Sequence, residues 1–312
     1  MTRPRRPTFS VCILTRNRPE ETRRAIESVL SSPHPAHQVI VSDNSTDDRT
    51  RDMVTATYPQ VTFMEGPRQG LSSNRNKVVS KVTGTHVVMM DDDAALGPDF
   101  LAKMTDHIER AENPEGLILT GVEMKHDERV VPHKMDFLGF QSLEFGEADK
   151  VDAIVINATV FPVEIFRRLR FDVKLTYGYD ENEFMMRAVH LHGYRVKICH
   201  DAINFHYPPG EGSGSYVYAN QVEANRIYVT FKKYFHVEKR VGKSLFYLVL
   251  AYTHHLLHQL KRRRLRGLAA FGHVARISLL NIATCFRDKA PHGTGRRVCD
   301  RPGAHVVRGT TG

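Results

Sequence analysis

Asp91, Asp92 and Asp93 stand side by side directly after the apolar run "HVVMM" (His86 to Met90). Adjacent carboxylates repel, so the triplet either gathers a cation or lies in a well-solvated loop. In an extended chain alternate residues point the same way, which lets Asp91 and Asp93 converge on one site. Two hard oxygen ligands suit Mg2+ or Mn2+, ions that bind through one or two carboxylates and complete their shell with water or substrate phosphates. The plainer alternative is an acidic loop in which Asp92 or Asp93 caps a helix beginning near Pro98.

Two further clusters have chemical potential. In "TYGYDENEFMMRAVHLHGYR" (Thr176 to Arg195), Asp180, Glu181 and Glu183 crowd the start of a helical pattern. Acids there favour the helix dipole, with Asp180 as a natural cap; equally, one of them can take a proton from an attacking hydroxyl. In "INFHYPPGEGSG" (Ile203 to Gly214), His206 precedes a Gly- and Pro-rich loop able to fold over a phosphate. A lone histidine is commonly a packing or surface residue, but neutral imidazole also ligates metals such as Mn2+.

The elements that must position these groups follow from the apolar pattern. Strands are predicted at Phe9 to Leu14, His37 to Asp43, Gln60 to Glu65 and His86 to Met90, alternating with helices at Pro19 to Leu30, Asp47 to Thr57 and Ser72 to Val82. Near-continuous apolar strands separated by helices imply a mainly parallel sheet covered on both faces. Ligands bind outside the carboxyl ends of such strands. The polar clusters "TRNRPE", "DNSTDD" and "DDD" fall at those ends, which random loop polarity would not arrange. Further on, Leu117 to Gly121 and Asp152 to Phe161 read as strands, Glu181 to Leu191 as a helix, and Tyr194 to His206 as two short strands. From Tyr216 the pattern is helical, and past Arg287 it loses all periodicity.

Together these features resemble the family 2 glycosyltransferases, inverting enzymes of the GT-A fold with a DxD-type motif. "FSVCILTRNRPEETRRAIESVLSS" is similar to that family's first strand, loop and helix. "QVIVSDNSTDDRT" is similar to its second-strand signature, and "GLSSNRNKVVSKVTGTHVVMMDDDAALGPDFL" to the helix leading into the DxD strand. The likeness is strong from Phe9 to Leu101 and looser from Phe171 to His206. It implies an α/β fold with a mixed, mainly parallel sheet flanked by helices and a C-terminal helical extension. The expected organisation is a catalytic domain over 1–235 (nucleotide half 8–100, acceptor half 101–235), an extension over 236–286 and a disordered tail over 287–312.

The resemblance also implies roles. Thr15, Arg16 and Asn17 would line the nucleotide pocket, Asp43 would contact the base, and Arg75 and Asn76 would lie near the phosphates. Asp91 would face the ribose and sugar. Asp92 is grouped with the donor pocket, although strand alternation turns it away from its neighbours. Asp93 would bind the divalent metal (Mn2+ or Mg2+), with Asp91 and His206 the other candidate ligands. Glu181 is the expected base and Asp180 its alternate. This sequence reads Asp-Glu where the family commonly has Glu-Asp, and Asn44 stands where an acid or glycine is frequent. The chain has no Trp, so sugar stacking falls to Tyr177, Tyr179 or Phe140. The implied reaction moves a sugar from a nucleoside-diphosphate sugar to an acceptor hydroxyl on a glycan, a lipid-linked chain or a small metabolite.

Composition bounds the rest. The 312 residues carry a formal charge of +9, which favours anionic partners. The four cysteines lack CxxC spacing, which suits a reducing compartment. The N-terminal apolar run is too short for a signal peptide, so a cytoplasmic protein is expected. "SLFYLVLAYTHHLLHQL" (Ser244 to Leu260) falls short of the roughly 20 apolar residues of a spanning helix. With the basic knot from Lys261 to Arg266, it fits either an interfacial element on the anionic inner face of the plasma membrane or helices packed on the catalytic domain or a second subunit. A nucleotidyltransferase is disfavoured because "TRNRPE" holds no glycine for a phosphate loop. A nucleic-acid-binding role is disfavoured because the chain lacks aromatic-basic interleaving.

Overall fold

The computed structural model describes residues 6–208 and 215–287. The tail beyond Arg287 and the Gly-rich part of the loop after His206 lie outside the described residues.

Residues 8–100 are built as their pattern predicts. Strand β1 (Phe9–Thr15) leads into helix α1 (Pro19–Leu30), β2 (Gln38–Asp43) into α2 (Arg49–Thr57), and β3 (Thr62–Glu65) into α3 (Leu71–Val78), which runs on as a short 3-10 turn to Lys81. Strand β4 (His86–Asp91) delivers the aspartates. Then come β5 (Ala94–Ala95), α4 (Phe100–Glu109), β6 (Leu117–Lys125), β7 (Glu128–Val130), β8 (Lys134–Met135) and β9 (Gln141–Leu143). Next are β10 (Thr159–Pro162), α5 (Ile165–Arg168), α6 (Asp180–His190), β11 (Arg195–His206), α7 (Ser215–Lys232), α8 (Val241–Arg263) and α9 (Gly267–Arg287).

The main sheet runs β3-β2-β1-β4-β10-β6-β11-β5, with β7 beside β6. β1, β2, β3 and β4 are mutually parallel, and β10 is antiparallel to both β4 and β6. β11 is parallel to β6. The carboxyl ends of β1, β2, β4, β6 and β11 therefore share one edge. Alternation along β1 builds both faces: Phe9, Val11 and Ile13 enter the core beneath α1, α2 and α4, while Cys12 and Leu14 enter the one beneath α3, α5 and α6. A third apolar cluster joins α7, α8 and α9 and reaches back to Leu175 and Tyr179 before α6.

Two predicted elements differ. Asp152 to Phe161 is not one strand: only its end joins β10, preceded by a 3-10 turn at Ile156–Ala158. That turn is held by Val155 N donating to Thr120 Oγ1 at 3.0 Å and by Thr159 Oγ1 donating to Val155 O at 2.6 Å. Tyr194 to His206 is not two strands but the single β11, with its register to β6 broken between Ile198 and Ile203. The bulge lets Cys199 and Ala202 both enter the core. It fits closely: a Cβ on Gly121 of β6 would lie 2.3 Å from Ala202 O.

Candidate active site

Strand register sets the floor of the cleft. Thr15 pairs with Asp43 and Leu14 with Asp91, so three strands release their polar ends at one level. Asn17 takes the left-handed conformation at φ 58°, which Asn tolerates better than most residues. Its N–H donates to Ser45 Oγ at 2.7 Å, and its Oδ1 accepts from Thr46 N at 2.9 Å, tying the first two loops together. Asp43 is buried and accepts from Ser45 N at 2.7 Å. Burial raises its carboxyl above the ordinary range, against those hydrogen bonds. Arg16 and Asn17 are exposed at the mouth.

The three aspartates separate. Asp92 turns inward, where Thr15 Oγ1 donates to it at 2.8 Å and Arg18 Nη1 at 3.1 Å. Burial pushes it up to about 7 in spite of Arg18. Asp93 meets Arg18 Nη1 at 3.0 Å and His206 Nε2 at 3.2 Å. Burial would raise it, but His206 and Arg18 hold it below the usual carboxylate range. On the far side of the imidazole, His206 Nδ1 lies 2.8 Å from Glu123 Oε1. Asn157 Nδ2 donates to Glu123 Oε2 at 2.9 Å, and Asn157 Oδ1 accepts from Asp91 N at 2.9 Å. A closed relay thus runs from Asp93 through His206, Glu123 and Asn157 to the backbone of Asp91. Burial lowers the His206 pKa, but the flanking carboxylates outweigh it and raise it to about 10.

A second constellation is organised by Arg75, which is 1% exposed. Its guanidinium donates to Asp180 and lies 3.6 Å from Asp91 Oδ1 and 3.9 Å from Glu181 Oε2. It also sits 5.5 Å from the centre of the Phe171 ring. The loop carrying the acids is pinned to α3 by Leu71 N donating to Thr176 O at 2.9 Å. Gly70 makes that approach possible: its φ is +96°, and a Cβ there would stand 2.8 Å from Thr176 Cβ. Tyr179, at φ 65°, turns the chain into α6, leaving Asp180 fully buried while the Glu181 side chain keeps 24% of its surface. Burial and the Asp180 charge raise Glu181 well above the usual carboxylate range, with Arg75 opposing. Asn76 is engaged elsewhere: its amide donates to Phe171 O at 2.9 Å and accepts from Phe171 N at 2.8 Å.

The expected groups therefore fall into three sets. Thr15, Asp92, Asp93 and His206 meet, joined by Arg18, Glu123 and Asn157, which the sequence reading passed over. Asp91, Arg75, Asp180 and Glu181 meet. Asp43, Asn17 and Ser45 are linked through Ser45 at the ends of β1 and β2. Of the aromatic candidates, Tyr177 is 45% exposed and stacks on Tyr218 at 4.6 Å. Tyr179 OH donates to Gly139 O at 3.0 Å, and Phe140 lies under the Arg226 guanidinium at 4.2 Å. That leaves Tyr177 as the most open ring.

Among the described residues no group of three or more His, Cys, Asp or Glu is disposed to hold a metal by itself. The Asp93–His206 pair fits part of a hydrated hard-ion shell once the imidazole gives up the proton that its flanking carboxylates favour. Its 3.2 Å separation is close to the roughly 3 Å between neighbouring ligands of an octahedral ion bound at about 2.1 Å.

The family model described as "Glycosyl transferase family 2" matches residues 10–199. The chain is 26% identical over 198 residues to the glucosyl-dolichyl phosphate glucuronosyltransferase of Haloferax volcanii, covering 61% of this chain and 60% of that protein, less than two thirds of its length. Among solved structures it is similar to GalNAc-T7 with UDP, GalNAc and Mn2+, at TM-score 0.58 and 14% identity over 72% of this chain and 48% of that one. It is also similar to S. aureus TarS 1-349, at TM-score 0.51 and 14% identity over 90% and 91% of the two chains. A third is the mannosyltransferase PcManGT from Pyrobaculum calidifontis with GDP-Man and Mn2+, at TM-score 0.53 and 16% identity over 89% and 87%. At these identities the likeness establishes the fold, the GT-A arrangement that the sequence motifs led us to expect.

Proposed function

The chain belongs to glycosyl transferase family 2, and from that premise we propose that it moves a sugar, with inversion, from a nucleoside-diphosphate sugar to an acceptor hydroxyl with the help of a divalent metal. The observation that carries this reading is the split acid pair: Asp180 is sealed beneath Arg75, whereas Glu181 stays open to the cleft. The solved structures with Mn2+ and nucleotide or nucleotide-sugar support the donor class.

On this reading Asn17, Ser45 and Asp43 shape the nucleotide end of the cleft, and Asp91 stands between it and the acid pair. Asp93 and His206 would hold a Mn2+ or Mg2+ ion together with the donor phosphates; Glu123 fixes the imidazole so that Nε2 faces Asp93. When bound, such an ion supplies Lewis-acid stabilisation of the charge growing on the diphosphate. Arg18 holds the Asp92 and Asp93 carboxylates in place. Arg75 holds Asp180 by a guanidinium hydrogen bond and stands beside Glu181. Glu181, with its raised proton affinity, takes the acceptor's hydroxyl proton as the oxygen attacks. The H. volcanii relative is named for a lipid-linked substrate, which favours a lipid-linked acceptor here as well. Cys12 and Cys199, each a thiol buried in the core, support placement on the cytoplasmic side.

The test is a panel of nucleoside-diphosphate sugars incubated with Mn2+, with Mg2+ and with EDTA. Slow donor hydrolysis that disappears with EDTA is the expected result; turnover undiminished by the chelator overturns the metal role, and no response to any donor overturns the reading. Glu123→Ala gives a separate check on the metal end. Removing the partner that orients a ligating histidine is expected to weaken Mn2+ binding about 10–100-fold, measured by titration calorimetry in the presence of nucleoside diphosphate. Unchanged affinity would remove His206 and Glu123 from the metal site.

A further inference from the structure

Helices α8 and α9 form an antiparallel hairpin: a Cβ on Gly267 would abut Gln259, His255 stacks on Phe271, and Tyr252 OH lies 2.8 Å from Ser278 Oγ. One face of α8 buries Ser244, Tyr247, Ala251 and His255. Along the other, Leu245, Phe246, Val249 and Leu257 are each more than half exposed, a helical stripe uncovered within the described chain. Phe137, 38% exposed, extends it by packing 6.2 Å from Phe246. The hairpin tip carries Lys261, Arg262, Arg263, Arg264 and Arg266, all exposed, around Leu265 at 78% exposure. None of these cations meets an acidic side chain among the described residues.

We infer that the exposed face of α8, with Phe137 and the basic tip from Lys261 to Arg266, docks the protein on an anionic phospholipid surface. Charge complementarity selects this occupant. An unpaired cation cluster continuous with a leucine and phenylalanine stripe matches phosphate headgroups above acyl chains, whereas a second copy would offer the patch the same positive charge. Scattered apolar surface residues are ordinary, but a stripe of this extent joined to such a cluster is not. The segment Val241–Arg287 is long and apolar enough to cross a membrane by length and composition. Its apolar run is nevertheless interrupted by the basic tip, and α9 turns Val274, Ile282 and Cys285 into the cluster it shares with α7. The hairpin is therefore read as lying on the bilayer.

The stripe also has a short physical link to the catalytic acids. Phe137 and Phe140 touch Phe246 and His254 of α8. One residue after Phe140, Gln141 Nε2 donates to Asn182 Oδ1 at 3.0 Å, next to Glu181. Docking would set the acceptor end of the cleft near the headgroups. That last step rests on the transferase reading; the docking surface does not.

The experiment is flotation of the full-length protein with vesicles of phosphatidylcholine alone or mixed with phosphatidylglycerol. Binding is expected to the mixed vesicles and to fall steeply with salt. The combined variant Arg262→Gln, Arg263→Gln, Arg264→Gln should weaken it roughly a hundredfold, at about fivefold per cation. Phe246→Ser with Val249→Ser should weaken it independently while soluble donor hydrolysis persists. Equal binding to both vesicle types overturns the proposal, as does association that survives carbonate extraction, the mark of a spanning helix. Absence of vesicle binding, with a dimer that Phe246→Ser dissolves, would make a second copy the occupant. Failure of donor hydrolysis with intact vesicle binding would count against the transferase reading alone.

Discussion

Glu181→Gln is expected to lower kcat by about 10²–10⁴-fold, the usual contribution of a positioned general base, while the dissociation constant for the donor stays within about twofold. The amide keeps the side chain's size but cannot accept the hydroxyl proton. Donor binding is spared because Asp43, Asn17, Asp93 and His206 lie at or just past the ends of β2, β1, β4 and β11, whereas Glu181 lies on α6. Kinetics alongside equilibrium binding of the nucleotide sugar separate the two effects; a variant with near-native kcat would remove Glu181 from the mechanism. The pH dependence gives a second readout. Glu181 works deprotonated, and burial with the Asp180 charge raises its proton affinity, so activity should fall as pH drops through a value well above the ordinary glutamate range. Asp180→Asn removes the neighbouring negative charge and leaves Arg75 shared between Glu181 and Asp91. Both changes favour the carboxylate, so the acidic limb of kcat/KM should move to lower pH. A limb that stays in place would show that another group sets it.

The second large effect concerns stability. Glu183 is fully buried and bonds Arg187 through both oxygens at 2.6 Å, and Lys232 Nζ also reaches it at 2.6 Å. Lys232 continues to Asp172 Oδ2 at 3.0 Å, where Tyr228 OH donates at 2.7 Å. This network fastens α7, and with it the α8–α9 hairpin, to the helix that begins with Asp180 and Glu181. Glu183→Ala leaves Arg187 and Lys232 buried with too little compensating charge, so a loss of about 3–5 kcal/mol is expected, read from urea denaturation. A change below about 1 kcal/mol would mean that water or repacking replaces the carboxylate.

What could be read from the sequence divides at about Leu101. The strands that became β1, β2 and β4 are covered on both faces, so each is a short apolar run followed by polar residues, and their order alone places the polar ends together. The second half has no such regularity. Asp152 to Phe161 is apolar enough to be a strand, yet only its end is one, and the 3-10 turn before it aims Asn157 at Asp91 and Glu123. Glu123 itself is hidden in the apolar run "LILTGVEMK", and its function appears only when His206 arrives 83 residues later. Arg18 was visible inside "TRNRPE", but not its grip on Asp92 and Asp93. Arg75 was expected near phosphates; the structure spends it on acids from another part of the chain. Spacing reports local geometry, whereas these pairs depend on crossovers that no local spacing records.

The Arg75–Asp180 contact also orders events in time. The two residues lie 105 positions apart, so on a growing chain the guanidinium emerges about 5–20 seconds before its carboxylate, at ordinary elongation rates. Until then, burying Arg75 leaves Asp91 as its only acidic neighbour, a poor bargain for a charge taken out of water. The first hundred residues therefore hold Arg75 without its hydrogen-bonded carboxylate until Asp180 has been made.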